Sequence, residues 1–394
     1  MILFGLFFIA VIGTIHFYIW KRLVKNTQLK PPYKIIATLL IVALALSIPA
    51  TMVISRAVSL DIVKTVSTLP LLWLGAMLLI VTFLFLVDIF ILIRHLIGWV
   101  ASKSIGSSTG PTDPSRRESL RKITAAGTLG MTGVLTTTSF HNVQKDATVI
   151  KQRLTLSKLP RRLNGLRIAQ ISDIHIGLTI DGNFLSRAVR QVNALSPDIV
   201  VVTGDLVDGY VHQLKHEVHS LTELVAPLGV YFVTGNHEYY FNADEWITHL
   251  TNMGIKVLDN RAVEIGDGPY PLILAGVNDF QANRSTGDEG PDLKKALAHR
   301  HPKQEVILLC HQPKIIKDAA AADVGLILSG HTHGGQIWPF NYLVLLQQPY
   351  LKGLINYNQR TKMYINQGTG YWGPPMRLGT ESEITLFTLY QDKH

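Results

Sequence analysis

Three apolar runs fall within the first hundred residues, and each is long enough to cross a bilayer as a helix. Met1–Trp20 is apolar except for His16, Ile35–Ile54 carries no charge, and Leu71–Ile93 contains a single carboxylate, Asp88. A helix rising 1.5 Å per residue needs about 20 apolar residues to cross a hydrocarbon core about 30 Å thick. A cleavable signal could account for the first run, but no small-residue cleavage site precedes Lys21. A buried soluble helix could account for any one of them. Three in succession predict a membrane region of three transmembrane helices over residues 1–100.

The charge pattern agrees with this reading. The 394-residue chain has a formal net charge of +9 together with a positive mean hydropathy. Many of the cations flank the apolar runs, which makes phospholipid headgroups a better partner than nucleic acid. No Lys/Arg tract interleaved with aromatic residues is present. Lys21, Arg22, Lys25, Lys30 and Lys34 separate the first two runs, whereas Arg56 and Lys64 separate the second from the third. Arg94, Lys103, Arg116, Arg117, Arg121 and Lys122 follow the third. This alternation predicts that the first and third connections are cytoplasmic and the amino terminus is outside. Asp88, near the cytoplasmic end of its run and close to Arg94, reads as a structural or snorkelling carboxylate. Cys310 is the only cysteine, so an intrachain disulfide is excluded.

Residues 101–145 read as a basic linker, with a Gly/Ser/Pro stretch (I-G-S-S-T-G-P-T-D-P-S) followed by Ser115-Arg116-Arg117-Glu118-Ser119-Leu120. The paired arginines and the mildly apolar Ile123–Phe140 resemble a twin-arginine export signal, with Ser119 where an aromatic is usual. The alternative is an amphipathic or buried stretch. As a fourth transmembrane helix it would deliver everything after Phe140 to the extracytoplasmic side.

From residue 146 onward the pattern changes to short apolar runs alternating with helix-like segments, which predicts α/β architecture with buried sheets. The strand candidates are Leu166–Ile171, Ile199–Thr203, Val230–Thr234, Leu272–Val277, Val306–Leu309 and Leu326–Ser329. Helical patterns cover Phe184–Leu195, Glu217–Val225, Glu245–Met253 and Pro291–His299, while Lys362–Asn366 and Ile384–Leu389 look antiparallel. Polar residues follow the strands closely. Asp173-Ile174-His175 follows the first strand, Gly204-Asp205-Leu206-Val207-Asp208 the second, and Gly235-Asn236-His237-Glu238 the third. Cys310-His311-Gln312 follows the fifth and Gly330-His331-Thr332-His333-Gly334-Gly335-Gln336 the sixth. Loops at the carboxyl ends of strands gather on one sheet edge, so five loops bearing Asp, Asn and His point to one binuclear metal centre. Taken singly, each is also ordinary turn chemistry.

D-x-H, G-D-x-x-D, G-N-H-E, an isolated His and G-H-x-H, in this order, resemble the calcineurin-like metallophosphoesterase superfamily, over roughly Leu166 to Leu389. The wording S-D-I-H-I-G and G-H-T-H-G-G-Q-I-W-P is similar to a membrane-associated bacterial branch. The resemblance implies a four-layer α/β/β/α sandwich over 146–394, in which two packed mixed sheets are flanked by helices. It implies that Asp173, His175 and His333 hold one divalent ion, that Asn236, His311 and His331 hold a second, and that Asp205 bridges them. Mn²⁺, Fe and Zn²⁺ all suit such ligands. Two ions about 3.5–4 Å apart would generate a bridging hydroxide that attacks the phosphorus, with no protein nucleophile. His237 would serve the leaving oxygen, Asp208 would orient His237, and Glu238 would be structural.

Other signals carry less. Gly368-Thr369-Gly370-Tyr371-Trp372-Gly373 fits a dinucleotide fingerprint, but Pro374-Pro375 forbids the helix it requires, so it reads as a loop at the rim of the site. His212, His216 and His219 read as a solvated helix face, and Arg377 as a phosphate contact or a surface ion pair. The sequence therefore predicts a membrane-anchored phosphoesterase acting on a monoester or diester, with lipid-linked esters among its substrates. A membrane sensor or transport accessory that binds but does not turn over is the alternative.

Overall fold

The three apolar runs lie in three helices, α1 (Ile2–Trp20), α2 (Pro31–Ala57) and α3 (Leu60–Ile105). The computed structural model of the chain describes residues 2–57, 60–105, 114–282 and 289–392. Among the described residues, three helices are long and apolar enough to cross a membrane, over Gly5–Lys25, Pro31–Thr51 and Ile62–Val100. Pro31 and Pro32 start α2 where proline is tolerated, because the first-turn N–H groups have no partner within the helix. Two polar ties join α1 to α3. Trp73 donates its indole N–H to His16 Nε2 at 2.9 Å, and His16 Nδ1 faces the Ile12 carbonyl at 2.8 Å. Asp88 accepts from the Tyr18 hydroxyl at 2.6 Å and pairs with Arg22. The partner of Asp88 is thus Arg22, across the helix pair, and not the neighbouring Arg94 that its sequence position suggested.

The twin-arginine-like segment and Ile123–Phe140 form one continuous helix, α4 (Pro114–Gln144), which is not among the three apolar enough to cross. The Gly/Ser/Pro linker lies outside the described residues over 106–113. The chain divides into two compact units, Met1–Phe140 and His141–His394.

Among the described residues, the second unit contains twelve strands in two six-stranded mixed sheets. The first sheet runs β1 (Thr148–Leu156), β12 (Glu383–Gln391), β2 (Leu166–Ile171), β3 (Ile199–Thr203), β4 (Val230–Val233), β5 (Lys256–Val257). The second runs β10 (Gly353–Asn356), β11 (Lys362–Ile365), β9 (Leu326–Ser329), β8 (Val306–Leu309), β7 (Leu272–Gly276), β6 (Arg261–Ile265). Strands β2 to β5 are mutually parallel, as are β7, β8, β9 and β11. Strands β3, β7, β8 and β9 are buried on both faces, as parallel strands covered on both sides must be. Alternate residues meet between the sheets: Ile168, Ile199, Val201 and Val233 from one pack with Leu274, Ile307, Leu309 and Leu328 from the other. The opposite face of the second sheet, with Ile273, Leu308, Ile327 and Met363, packs on Ile316 and Ala319 of the helix Ile316–Ala321. Helix α5 (Gly182–Ala194) buries Leu185, Ala188, Val189 and Val192 on one stripe, and Asp181 caps its amino terminus by accepting from Phe184 N. The result is the four-layer sandwich, two mixed sheets flanked by helices.

Three expectations need correction. The segment Glu217–Val225 is not one helix but a 3₁₀ stretch (His219–Glu223) after the single turn Val211–Leu214. Asn193 takes up its backbone groups, accepting from Val225 N at 2.9 Å and donating to Glu223 O at 2.7 Å. Pro291–His299 shortens to Leu293–Ala296. Strand β12 is antiparallel to β2 but parallel to β1, and β11 is antiparallel only to β10.

Candidate metal centre

Five loops meet at the carboxyl ends of β2, β3 and β4 from one sheet and β8 and β9 from the other. Close approach sets their backbone. A Cβ on Gly235 would lie 2.2 Å from Asp205 Oδ1, and one on Gly330 would lie 2.1 Å from both Asp173 Oδ2 and Ser172 Oγ. Only glycine lets these turns pass so near the carboxylates. Asp173, His175, Asp205, His331 and His333 all have positive φ, between 49° and 72°. Left-handed backbone in non-glycine residues is strained and concentrates where side-chain direction serves a site.

The side chains form three overlapping groups in which one ligand-type atom per residue lies within 4.8 Å of the others: Asp173, His175 and His333; Asp205, His311 and His331; and His175, Asp208 and His237. His175 Nε2 is 3.1 Å from His333 Nε2, and His333 Nε2 is 3.4 Å from Asp173 Oδ1. His311 Nε2 is 3.1 Å from Asp205 Oδ2 and equally far from His331 Nδ1. Asp205 Oδ2 is also 3.8 Å from His175 Nε2 and 4.0 Å from His237 Nε2, so this one oxygen borders all three groups. Asn236 Oδ1 is buried without a hydrogen-bond partner.

Outer contacts hold these groups in place. His311 Nδ1 donates to the Thr203 carbonyl at 2.8 Å, which turns Nε2 towards Asp205 and the cluster. Asp173 accepts from the Ser172 hydroxyl at 2.5 Å and from His331 N at 2.9 Å. Asp208 Oδ1 is 2.9 Å from His175 Nδ1 and 2.6 Å from His237 Nδ1. Glu238 accepts from the backbone N–H groups of Gly235, Asp205 and Leu206 at 2.6, 3.0 and 2.8 Å, tying the β3 and β4 loops together.

Burial acts to raise the Asp205 carboxyl, but the His311, His237 and His175 imidazoles outweigh it and hold it well below its usual range. Burial lowers His331 to about 3, with His311 adding to the effect, and burial and His175 lower His333 as well. Both rings therefore stay neutral and keep lone pairs. Burial also opposes protonation of His311 and His237, yet the Asp205 carboxylate raises both, His237 to about 9. A buried carboxylate field that draws protons onto imidazoles favours a cation in the same place. Facing ring nitrogens, an orphaned amide oxygen and buried carboxylates fit divalent ions, which these residues could hold.

Two features were misread or unread in the sequence. Arg377 is fully buried, neither on the surface nor free for phosphate. Its guanidinium donates to the carbonyls of Gln367, Gly368 and Gly370 at 2.7, 3.0 and 2.6 Å, and Nη2 lies 3.5 Å from His333 Nδ1. It thereby binds the Gly368–Gly373 loop to the histidine motif. That loop is in contact with the D-x-H turn, Thr369 N donating to Ser172 O at 2.7 Å and Gly370 N to Asp173 O at 3.1 Å. His212, His216 and His219 are exposed and lie outside the cluster.

Residues 166–335 match the calcineurin-like phosphoesterase family. The chain is 39% identical over 307 residues to a transmembrane protein with metallophosphoesterase domain of Bos taurus, covering 75% of this chain and 67% of that protein. A similar protein of Danio rerio, of the same description, is 38% identical over 292 residues, covering 70% and 67%. A metallophosphoesterase of Campylobacter jejuni is 32% identical over 392 residues, covering 98% of each chain, apolar helices included.

Proposed function

The chain belongs to the calcineurin-like metallophosphoesterases and is a phosphoester hydrolase; from that premise we propose that it hydrolyses a phosphomonoester or phosphodiester presented at a membrane, using two divalent ions. The observation that carries the reading is the position of Asp205, whose Oδ2 lies 3.1 Å from His311 Nε2 and 3.8 Å from His175 Nε2. One carboxylate thus borders both halves of the cluster. Asp173, His175 and His333 would hold one ion and Asn236, His311 and His331 the other, with Asp205 available to both. When bound, Mn²⁺, Fe or Zn²⁺ in such a pair supplies a water nucleophile active at neutral pH and a Lewis-acid clamp on the phosphoryl oxygens.

The chain's own groups do the rest. His237 turns Nδ1 to Asp208 at 2.6 Å, which leaves Nε2 to give a proton to the departing oxygen. Tyr240 and Trp372 flank that ring at centroid distances of 5.1 and 5.7 Å and restrict water around it. Three membrane-capable helices in the same chain as the catalytic domain, residues 146–394, favour a lipid-linked ester such as a phospholipid or a nucleotide-linked glycolipid. The charge alternation of the connecting loops favours a multi-pass chain with its catalytic domain on the extracytoplasmic side. The test is turnover of aryl phosphomonoesters and phosphodiesters by the full chain in lipid nanodiscs. Activity that requires Mn²⁺ and disappears with a chelator is expected; metal-loaded protein that turns over neither ester class would overturn the proposal.

A further inference from the structure

The hydrolysis of a small soluble ester does not call for the surface this cluster carries beside it. Directly after the G-H-T-H-G-G-Q motif the chain reads Ile337-Trp338-Pro339-Phe340-Asn341-Tyr342-Leu343-Val344-Leu345-Leu346. A run of that composition is normally interior. Here Trp338, Phe340, Tyr342, Leu343, Leu345 and Leu346 are all exposed, Leu346 by 80%. The cause is local. Asn341–Val344 is a single helical turn with no buried residue, closed by its own bonds from Tyr342 N to Pro339 O at 3.1 Å and from Leu343 N to Phe340 O at 2.9 Å.

The turn is held firmly at both ends. Trp338 N donates to Leu378 O at 3.0 Å, and the Thr332 hydroxyl donates to Leu351 O at 2.5 Å. The apolar surface also continues to the reaction site. Gln336 accepts from Trp372 N at 2.9 Å and donates to Trp372 O at 2.8 Å, and the half-exposed Trp372 ring stands edge-on to His237. The charges match one class of partner. From Val324 through Thr380 the sequence contains no Asp or Glu. Lys352, exposed six residues after Leu346, donates to two neutral oxygens, Gln367 Oε1 and Gly379 O. Trp, Tyr, Phe and Leu in one exposed run that itself carries no carboxylate suit the headgroup–acyl boundary of a bilayer, and this chain carries three helices able to enter one.

We propose that Trp338–Leu346 is a bilayer-docking element that seats the rim of the metal centre on the membrane surface. The lipid-linked ester then reaches the cluster without leaving the bilayer, a consequence that rests on the phosphoesterase reading, whereas docking itself does not.

The test uses the full chain in nanodiscs of phosphatidylcholine and phosphatidylglycerol, spin-labelled at Leu346→Cys or, as a control, at the exposed Asn252→Cys. Cys310 is fully buried, so the native thiol stays unlabelled. The label at 346 is expected to be accessible to oxygen and shielded from a water-soluble nickel chelate, the reverse of 252. Equal accessibility at the two sites overturns docking, as does dipolar broadening at 346, which would assign the surface to a second copy of the chain. Turnover supplies a separate readout, with hexadecyl nitrophenyl phosphate in vesicles set against soluble methyl nitrophenyl phosphate. Leu343→Glu combined with Leu346→Glu should lose about tenfold on the hexadecyl ester through forfeited insertion and keep its rate on the methyl ester. Equal loss on both would overturn the proposal. Wild-type protein inactive on both esters, with a membrane-embedded 346 label, would refute the phosphoesterase reading and leave docking supported.

Discussion

Asp208 reaches two imidazoles, at 2.9 Å from His175 Nδ1 and 2.6 Å from His237 Nδ1, where its motif suggested only one. It fixes the tautomer of a proposed metal ligand and of the proposed proton donor together. Asp208→Asn should therefore weaken metal binding by about 10–100-fold, the usual effect of losing such an outer carboxylate, as well as slow turnover. Metal titration of the variant checks this, and unchanged affinity would return Asp208 to His237 alone. His237→Ala should behave differently, keeping both ions and losing about 10²–10⁴ in rate. The loss should be greatest with alkyl esters, whose alkoxide needs a proton to leave, and smallest with nitrophenyl esters. Loss of an ion from His237→Ala would make that residue a ligand. Asp205→Asn removes the shared oxygen, so elemental analysis should find less than the full metal complement; two ions retained would sink the bridging assignment. These residues were legible because each polar pair comes at once after an apolar run. Arg377 was not, because its partners are backbone carbonyls of Gln367, Gly368 and Gly370, which no side-chain pattern encodes. The left-handed turns at Asp173 and Asp205 were equally hidden, since neither residue type demands that conformation.

The elements that sequence conveyed are those buried on both faces. Leu166–Ile171, Ile199–Thr203, Val306–Leu309 and Leu326–Ser329 form strands at the read boundaries, and all but the first, which carries Arg167 and Gln170, are apolar up to their last residue. Strand β1, Thr-Val-Ile-Lys-Gln-Arg-Leu-Thr-Leu, was missed because it is an edge strand with exposed polar residues among its apolar ones. The 3₁₀ stretch was missed because Asn193, thirty residues away, takes the hydrogen bonds a helix would have used. A comparable long-range device ties the strand ends opposite the metal site. Glu305, fully buried just before β8, receives both terminal nitrogens of Arg360, at 2.9 and 2.5 Å, and Lys158 N at 3.0 Å. Arg360 in turn reaches Asp323 at 3.2 Å, ahead of β9. Arg360→Met would strand the Glu305 carboxylate in the interior, a loss of about 3–5 kcal/mol. Thermal unfolding should then begin about 6–20 °C lower, at about 2–4 °C per kcal/mol for a unit of this size. A melting temperature unchanged within a degree or so would mean that water or another cation compensates Glu305. Because the pair lies at the opposite strand ends, metal content at 25 °C should remain that of the wild type.

At the scale of the whole chain, α4 decides which side of the membrane receives the catalytic domain. By the charge rule, five cations between the first and second apolar runs, two between the second and third, and six after the third would place Lys25 and the start of α4 in the cytoplasm. Everything after Phe140 reaches the outer side only if α4 crosses. Its 31 residues extend about 46 Å at 1.5 Å per residue, enough to cross a core about 30 Å thick. Its composition opposes crossing, since Ile123–Phe140 carries six threonines. The helix lowers that cost at two of them: the Thr124 hydroxyl donates to Leu120 O at 2.8 Å and Thr138 to Val134 O at 2.9 Å, whereas those of Thr132 and Thr136 are buried without a partner. If α4 crosses, the arginine pair at its start would supply the export-type signal that its modest hydropathy does not. We expect Gln144→Cys, exposed at the end of α4, to react with an impermeant maleimide in intact cells, and Lys25→Cys to react only after permeabilisation. The buried Cys310 leaves both measurements without background. Labelling at 25 but not at 144 would invert the whole arrangement. Protection of both sites until permeabilisation would keep the three-helix orientation and hold α4 in the cytoplasm, so that the phosphoesterase would meet the inner leaflet.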